Sequence, residues 1–187
     1  PLIANADQSN SDGDSKGDVC DDEIADSIRD WSTTGTQGEN DWHNGYYNQT
    51  EDASLAAGVY QTDDFIEFVN DGSNICETVV GVTGANHWAG TLWELNCTGA
   101  PWTELGRENT HPNGTNNGEV HWTIRRYIYP GPARQLVLRW HMRKTNPGCG
   151  NGVTGKLLLN GVELDSQAIA ANDTVGLVPP RNSVVDM

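Results

Sequence analysis

Between Asp7 and Asp21 the chain reads DQSNSDGDSKGDVCD, and acidic or amide side chains recur at every second or third position between small residues. A hard divalent cation collects about six to eight oxygen ligands at roughly 2.3–2.6 Å, which a short loop offers only if carboxylates alternate with residues that let the chain turn. Asn10, Asp12, Asp14, Asp18 and Asp21 alternate in that way, with Gly13 and Gly17 between them. The spacing predicts a calcium-binding loop. A solvated acidic linker is the plainer account of Asp, Ser and Gly together, but the regular spacing favours the ion.

A second chemistry is written between Glu119 and Lys144. EVHWTIRRYIY and RQLVLRWHMRK read as two strands of a hairpin joined through Pro130, Gly131 and Pro132. Alternation sends Val120, Trp122, Ile124, Ile128, Leu136, Leu138, Trp140 and Met142 to the core. The other face then carries His121, Thr123, Arg125, Tyr127 and Tyr129 against Gln135, Val137, Arg139, His141 and Arg143. With Tyr127 opposite Val137, Arg125 faces Arg139 and His121 faces Arg143, and like charges so placed cost stability unless an anion or carboxylates lie between them. The functional reading is a ligand platform. Arginines grip carboxylate or sulfate groups bidentately and tyrosines offer a flat surface to a sugar ring. The plainer reading is that Asp or Glu from a neighbouring strand neutralises the face.

Aromatic loops offer a third chemistry. Trp42, Trp88, Trp93 and Trp102 sit in DWHNGYYN, NHWAGTLWEL and APWTELG, where exposed rings would stack on sugars, with Tyr46 and Tyr47 beside Trp42. Burial is the commoner fate of tryptophan. The loop HPNGTNNGEVHW places His111, Glu119 and His121 at a spacing that faintly resembles cupin-type metal sites, although turn chemistry accounts for its Asn and Gly content. Catalysis has little support: there is no GxSxG elbow, no Cys and His signature and no phosphate-cradling loop. Glu94, Glu104 and Glu119 supply carboxylates from which a glycosidase pair would be drawn, but their separation is not readable from sequence.

The elements that position these groups read as strands. Alternating or β-branched runs bounded by Gly, Asn and Pro occur at 26–33, 42–48, 64–69, 75–82, 87–95, 119–129, 134–144, 153–159 and 162–170. No helical period competes. Asn160-Gly161 is the strongest hairpin signal, and it predicts Leu159 opposite Val162, Leu157 opposite Leu164 and Lys156 beside Asp165. The expected fold is all-β, an antiparallel jelly-roll-like β-sandwich preceded by a short calcium-binding arm. Residues 1–22 form the arm, 23–174 the sandwich and 175–187 a tail or linker.

Composition narrows the partners. The chain has 187 residues and a formal charge of −15. That balance excludes the positive footprint nucleic acid requires, and no apolar run approaches the roughly 20 residues of a membrane span. Cys20, Cys76, Cys97 and Cys149 lack zinc or redox spacing, which favours disulfides, and Asn48, Asn96, Asn113 and Asn172 head glycosylation sequons. A secreted or cell-surface location follows as an expectation.

PLIANADQSNSDGDSKGDVCD, residues 1–21, resembles one thrombospondin type 3 repeat. The resemblance implies Ca2+ ligation by Asp7, Asn10, Asp12, Asp14, Asp18 and Asp21, with a backbone carbonyl near Lys16. Asn10 stands where that family usually has Asp, and Ser15 where it usually has Gly. A cysteine normally precedes the position of Pro1 in that family, so the chain is expected to begin inside a repeat and to leave one cysteine odd. Residues 26 to about 174, through DSIRDWSTTGTQGENDWHNGYYN, NHWAGTLWEL, PWTELG, HPNGTNNGEVHWTIRRY and NGVTGKLLLNGVELDS, resemble an uncharacterised module of large secreted proteins of aquatic bacteria. That module continues with further strands, whereas Pro179 and Pro180 oppose strand pairing here. The leading expectation is a non-catalytic adhesion module that recognises carbohydrate through Arg125, Tyr127, Tyr129, Arg139, His141, Arg143, Trp42 and Trp102. The rival is a structural subunit of a fibre or matrix, a homopolymer built by calcium and by strand addition at an open edge. A polysaccharide-active enzyme stands third.

Overall fold

Tyr46, Tyr47 and Trp42 give the segment WHNGYYN the bulky, pleat-filling side chains that favour an extended chain, and it lies between two partners. The computed structural model describes residues 23–52, 59–73 and 86–187. In chain order its strands are β1 (Trp42–Asn48), β2 (Ile66–Glu67), β3 (Leu92–Glu94), β4 (Glu104–Gly106), β5 (Thr110–His111), β6 (His121–Tyr127), β7 (Gln135–Trp140), β8 (Gly152–Leu159), β9 (Val162–Ala170) and β10 (Arg181–Asp186). They form antiparallel sheets ordered β2-β1-β6, β3-β4-β5, β8-β9 and β10-β7. The all-β, antiparallel expectation holds. The predicted strand at 75–82 lies outside the described residues.

The core is aromatic. Phe68 stacks on Trp93 with centroids 5.9 Å apart, Trp93 meets Trp88 at 4.8 Å, and Leu95 and Leu105 close the cluster. Trp31 and Tyr46 pack against it. Trp88 and Trp93 are fully buried, which removes both from the candidate sugar platforms. Buried Asn86 serves the same region as a polar clamp, donating to the Trp88 carbonyl and accepting from the Trp88 amide.

The Asn160-Gly161 hairpin forms as expected, with both turn residues at positive φ (50° and 82°) and Leu159 opposite Val162. Beyond the next pair the register slips. Leu158 pairs with Glu163 and Leu157 with Asp165, so Leu164 is the extra residue of a β-bulge. Lys156 therefore stands opposite Ser166, and its Nζ reaches Glu163 (2.5 Å) rather than Asp165. Asp165 accepts instead from Trp140 Nε1 (3.0 Å) and Arg181 (2.5 Å), which ties β9 to β7 and β10.

The hairpin expected through Pro130-Gly131-Pro132 does not form. The chain does turn there, but β6 pairs along its length with β1, and β7 pairs with β10. Segment 26–33 is a turn rather than a strand, because Asp26 Oδ1 takes the amides of Ile28 (2.7 Å) and Arg29 (3.0 Å) that a ladder would have used. Pro179 and Pro180 stay outside any strand. Directly after them, Arg181 to Asp186 fills an edge of β7 from within the same chain.

Cys97 is disulfide-bonded and Cys149 is a free, exposed thiol, while Cys20 and Cys76 lie outside the described residues. Two sequons are occupied by structure. Asn113 is buried and donates to the Glu119 carbonyl, and buried Asn48 accepts from the amides of Thr50 and Glu51. Asn172 is exposed. Among the described residues no helix is long and apolar enough to cross a membrane.

Candidate functional site

The calcium ligands read from sequence, Asp7, Asn10, Asp12, Asp14, Lys16, Asp18 and Asp21, lie outside the described residues. Among the described residues no group of three or more His, Cys, Asp and Glu converges to hold a metal. His111, Glu119 and His121 are divided between two environments. His111 is exposed on β5 and its Nδ1 contacts the Trp102 carbonyl at 2.7 Å, whereas His121 turns inward.

The arginine and tyrosine platform is dispersed, because its two strands have different partners. Arg125 is opposite Asn44, and Arg139 is opposite Asn182. The Arg125 guanidinium is engaged by oxygen acceptors. It donates to Gly106 O (2.5 Å), Arg107 O (2.8 Å), Ser27 Oγ (3.0 Å) and Ser27 O (3.3 Å), and lies 5.4 Å over the Trp31 ring. Burial pulls its pKa down to about 10, opposed by the charge of Asp26. Arg125 is a clamp joining segment 26–32, β4 and β6. Tyr129 folds onto Pro132 through its hydroxyl (3.0 Å) beneath Arg134. Arg139, His141 and Arg143 lie exposed on and just beyond β7, which pairs with β10 and not with the strand that carries Tyr127.

Three of the expected ligand residues do come together at the opposite end of β1. In register, Trp42 stands beside Tyr127 and Asn44 beside Arg125, so all four share one face of the β1–β6 pair. The rings of Trp42 and Tyr127 are 5.1 Å apart. Segment 27–32 lies over this end, held by Arg125, and a niche of about 10 Å³ opens between Trp31, Ser32, Trp42, Asn44, Asp30 and Glu39. Trp42 Nε1 is buried and has no acceptor among the described residues. Asp30 is committed locally, accepting from Arg29 Nε (2.8 Å) and from the Asp26 amide (2.7 Å). Glu39 is exposed at the rim. Burial, then the charges of Asp41 and Asp30, push the Tyr127 phenol up, so it stays a neutral hydroxyl there. Two indoles, an unmet N–H donor and a rim carboxylate border this niche, whose volume is about that of one water or one hydroxyl group.

A second polar group looks catalytic in outline. Thr103 Oγ1 is 2.6 Å from His121 Nδ1, and Glu119 Oε2 is 3.1 Å from His121 Nε2 but off the line of a hydrogen bond. Hydroxyl, imidazole and carboxylate in series is the arrangement that activates a nucleophile. Here Thr103 is 0% and His121 1% exposed, so the hydroxyl has no path to a substrate. Burial lowers the His121 pKa, with the charge of Glu51 opposing, and the neutral ring holds the lead-in to β4 against β6. Trp102, 41% exposed, borders this region as a rim residue with His111.

Sequence reasoning missed Trp31, Ser32, Asn44, Glu39 and Thr103. The signal for Trp31 was Asp26, whose carboxylate turns the chain and sends the following indole inward. Nothing local marks Thr103. Comparison with protein-family models, with curated proteins and with solved structures found no match, so the site is defined by its own geometry.

Proposed function

We propose that the chain is a non-catalytic extracellular adhesion module in which a jelly-roll-type sandwich recognises carbohydrate at the Trp31–Trp42 niche. In this reading the acidic arm binds Ca2+ as a thrombospondin type 3-like repeat does, and the location is secreted or cell surface. The observation that carries the carbohydrate reading is Trp42 Nε1, a buried donor without an acceptor among the described residues, on a side chain that lines the niche with Trp31 and Glu39. Burying such a donor costs about 1–3 kcal/mol unless a hydroxyl meets it.

The test is a calorimetric glycan screen with the whole chain and with Trp42→Phe, which keeps an aromatic ring and removes the N–H. A bound glycan should lose roughly fivefold or more in affinity, about 1 kcal/mol, in the variant. A chain that binds no glycan, or a variant that binds equally well, sinks the reading. The calcium part is tested separately on chelator-treated protein. Heat of Ca2+ binding should appear and should vanish in Asp12→Ala with Asp14→Ala, and a flat wild-type titration removes this part.

A further inference from the structure

Charge is divided unevenly along this chain. Residues 1–120 hold 22 Asp and Glu against three Lys and Arg, whereas residues 121–187 hold four against eight. The basic part includes the β7–β10 ribbon, whose faces differ. Leu136, Leu138 and Trp140 are half-buried on one face, beside buried Val185. On the other face the cross-strand pairs Gln135/Asp186, Val137/Val184 and Arg139/Asn182 are all exposed. Val137 and Val184 stand directly opposed and are 65% and 62% exposed, an apolar centre in water. Arg139 is their neighbour in this row, and His141 and Arg143 are exposed just beyond it.

We propose that this face docks a second copy of the chain, which presents its acidic part. The argument is complementarity. An apolar pair beside Arg139, in the part of the chain that holds eight Lys and Arg against four Asp and Glu, is complementary to the part that holds 22 Asp and Glu against three Lys and Arg. The two surfaces are different patches, so the contact is heterologous, and such contacts either close into rings or run on head to tail. The overall charge of −15 opposes association at long range. At about 0.1 M salt the screening length is about 10 Å, so repulsion between whole copies is muted while pairs in contact persist; at about 1 M it is about 3 Å. Neither the carbohydrate nor the calcium reading is needed for this contact.

Sedimentation velocity of the full chain, at fixed calcium and at about 0.1 M and about 1 M salt, tests the proposal. The expected result is a mass that rises with concentration at the lower salt and falls toward monomer at the higher. Arg139→Glu, and Val137→Ser with Val184→Ser, should each weaken association about tenfold or more. Thermal melts check that these surface variants fold, and Arg139→Gln replaces any that does not. A chain that stays monomeric at every concentration in the lower salt overturns the proposal, as does association that these variants leave unchanged. A monomer that instead binds heparin through Arg139 assigns the face to a foreign polyanion and also overturns it.

Discussion

Replacing Arg125 by alanine removes the guanidinium that ties residues 27, 106 and 107 to β6. Gly106 O, in a buried residue, loses a donor at 2.5 Å, and the Ser27 and Arg107 carbonyls lose theirs at 3.3 and 2.8 Å. A buried acceptor left unmade costs about 1–3 kcal/mol, and the contact over Trp31 adds about 0.5–1 kcal/mol. Because the Arg107 and Ser27 groups regain water in part, the sum is about 3–5 kcal/mol, or a fall in Tm of about 6–20 °C for a chain of this size. Guanidinium unfolding followed by tryptophan fluorescence measures it, since Trp31 lies beneath the lost group. Arg125→Lys should recover part of the loss, its ammonium reaching one set of acceptors but not spanning both. Arg139→Ala, at an exposed position, should stay within about 0.5 kcal/mol of wild type. An Arg125→Ala chain as stable as Arg139→Ala, with an unchanged slope, refutes the clamp.

Two further outcomes follow from buried positions. Gly35 has φ of 66° and a Cβ there would overlap the Trp88 indole, so Gly35→Ala should cost more than about 3 kcal/mol, read as a lower denaturation midpoint, while Gly90→Ala, at φ of 86° but with open space around it, should cost only the backbone strain of about 1–2 kcal/mol. His121 has a folded pKa below its unfolded value of about 6.5, so its contribution is complete above that value and is lost as pH falls from there toward the folded pKa. The stability gap between wild type and His121→Gln should narrow with acid by at most about 1.4 kcal/mol per pH unit, and a gap independent of pH between 7.5 and 5 refutes this.

Local chemistry was legible in the sequence and partner choice was not. The Asn160-Gly161 turn needs only its own two residues in a left-handed conformation, and it forms where expected. The bulge at Leu164 was hidden, because an alternating pattern does not announce an inserted residue. Both strands of the Pro130-Gly131-Pro132 pair were found, yet alternation defines a face and not a neighbour, and β6 is aligned with β1 instead. The inversion at His121 has the same origin. Its imidazole is polar by type, and only Thr103, brought by a distant segment, makes burial tolerable. Trp42 and Tyr127 reached the site because they share a register position, whereas Trp31 arrived through an Asx turn in a segment read as a strand. β10 was missed because two prolines precede it, and their effect ends at Arg181.

The alignment of β1 with β6 also sets the order in which the molecule is completed. Trp42 meets Tyr127 about 85 residues later in the chain. At about 5–20 residues per second, the strand bearing Trp42, Tyr46 and Tyr47 leaves the ribosome roughly 4–17 s before its longer partner, β6, exists. The β8–β9 hairpin, closed by a local turn, forms within about 1–10 μs once its residues are free. Biogenesis therefore opens with an aromatic strand whose β6 edge stays unpaired while about 80 further residues are made, although β2 is already there to pair with its other edge.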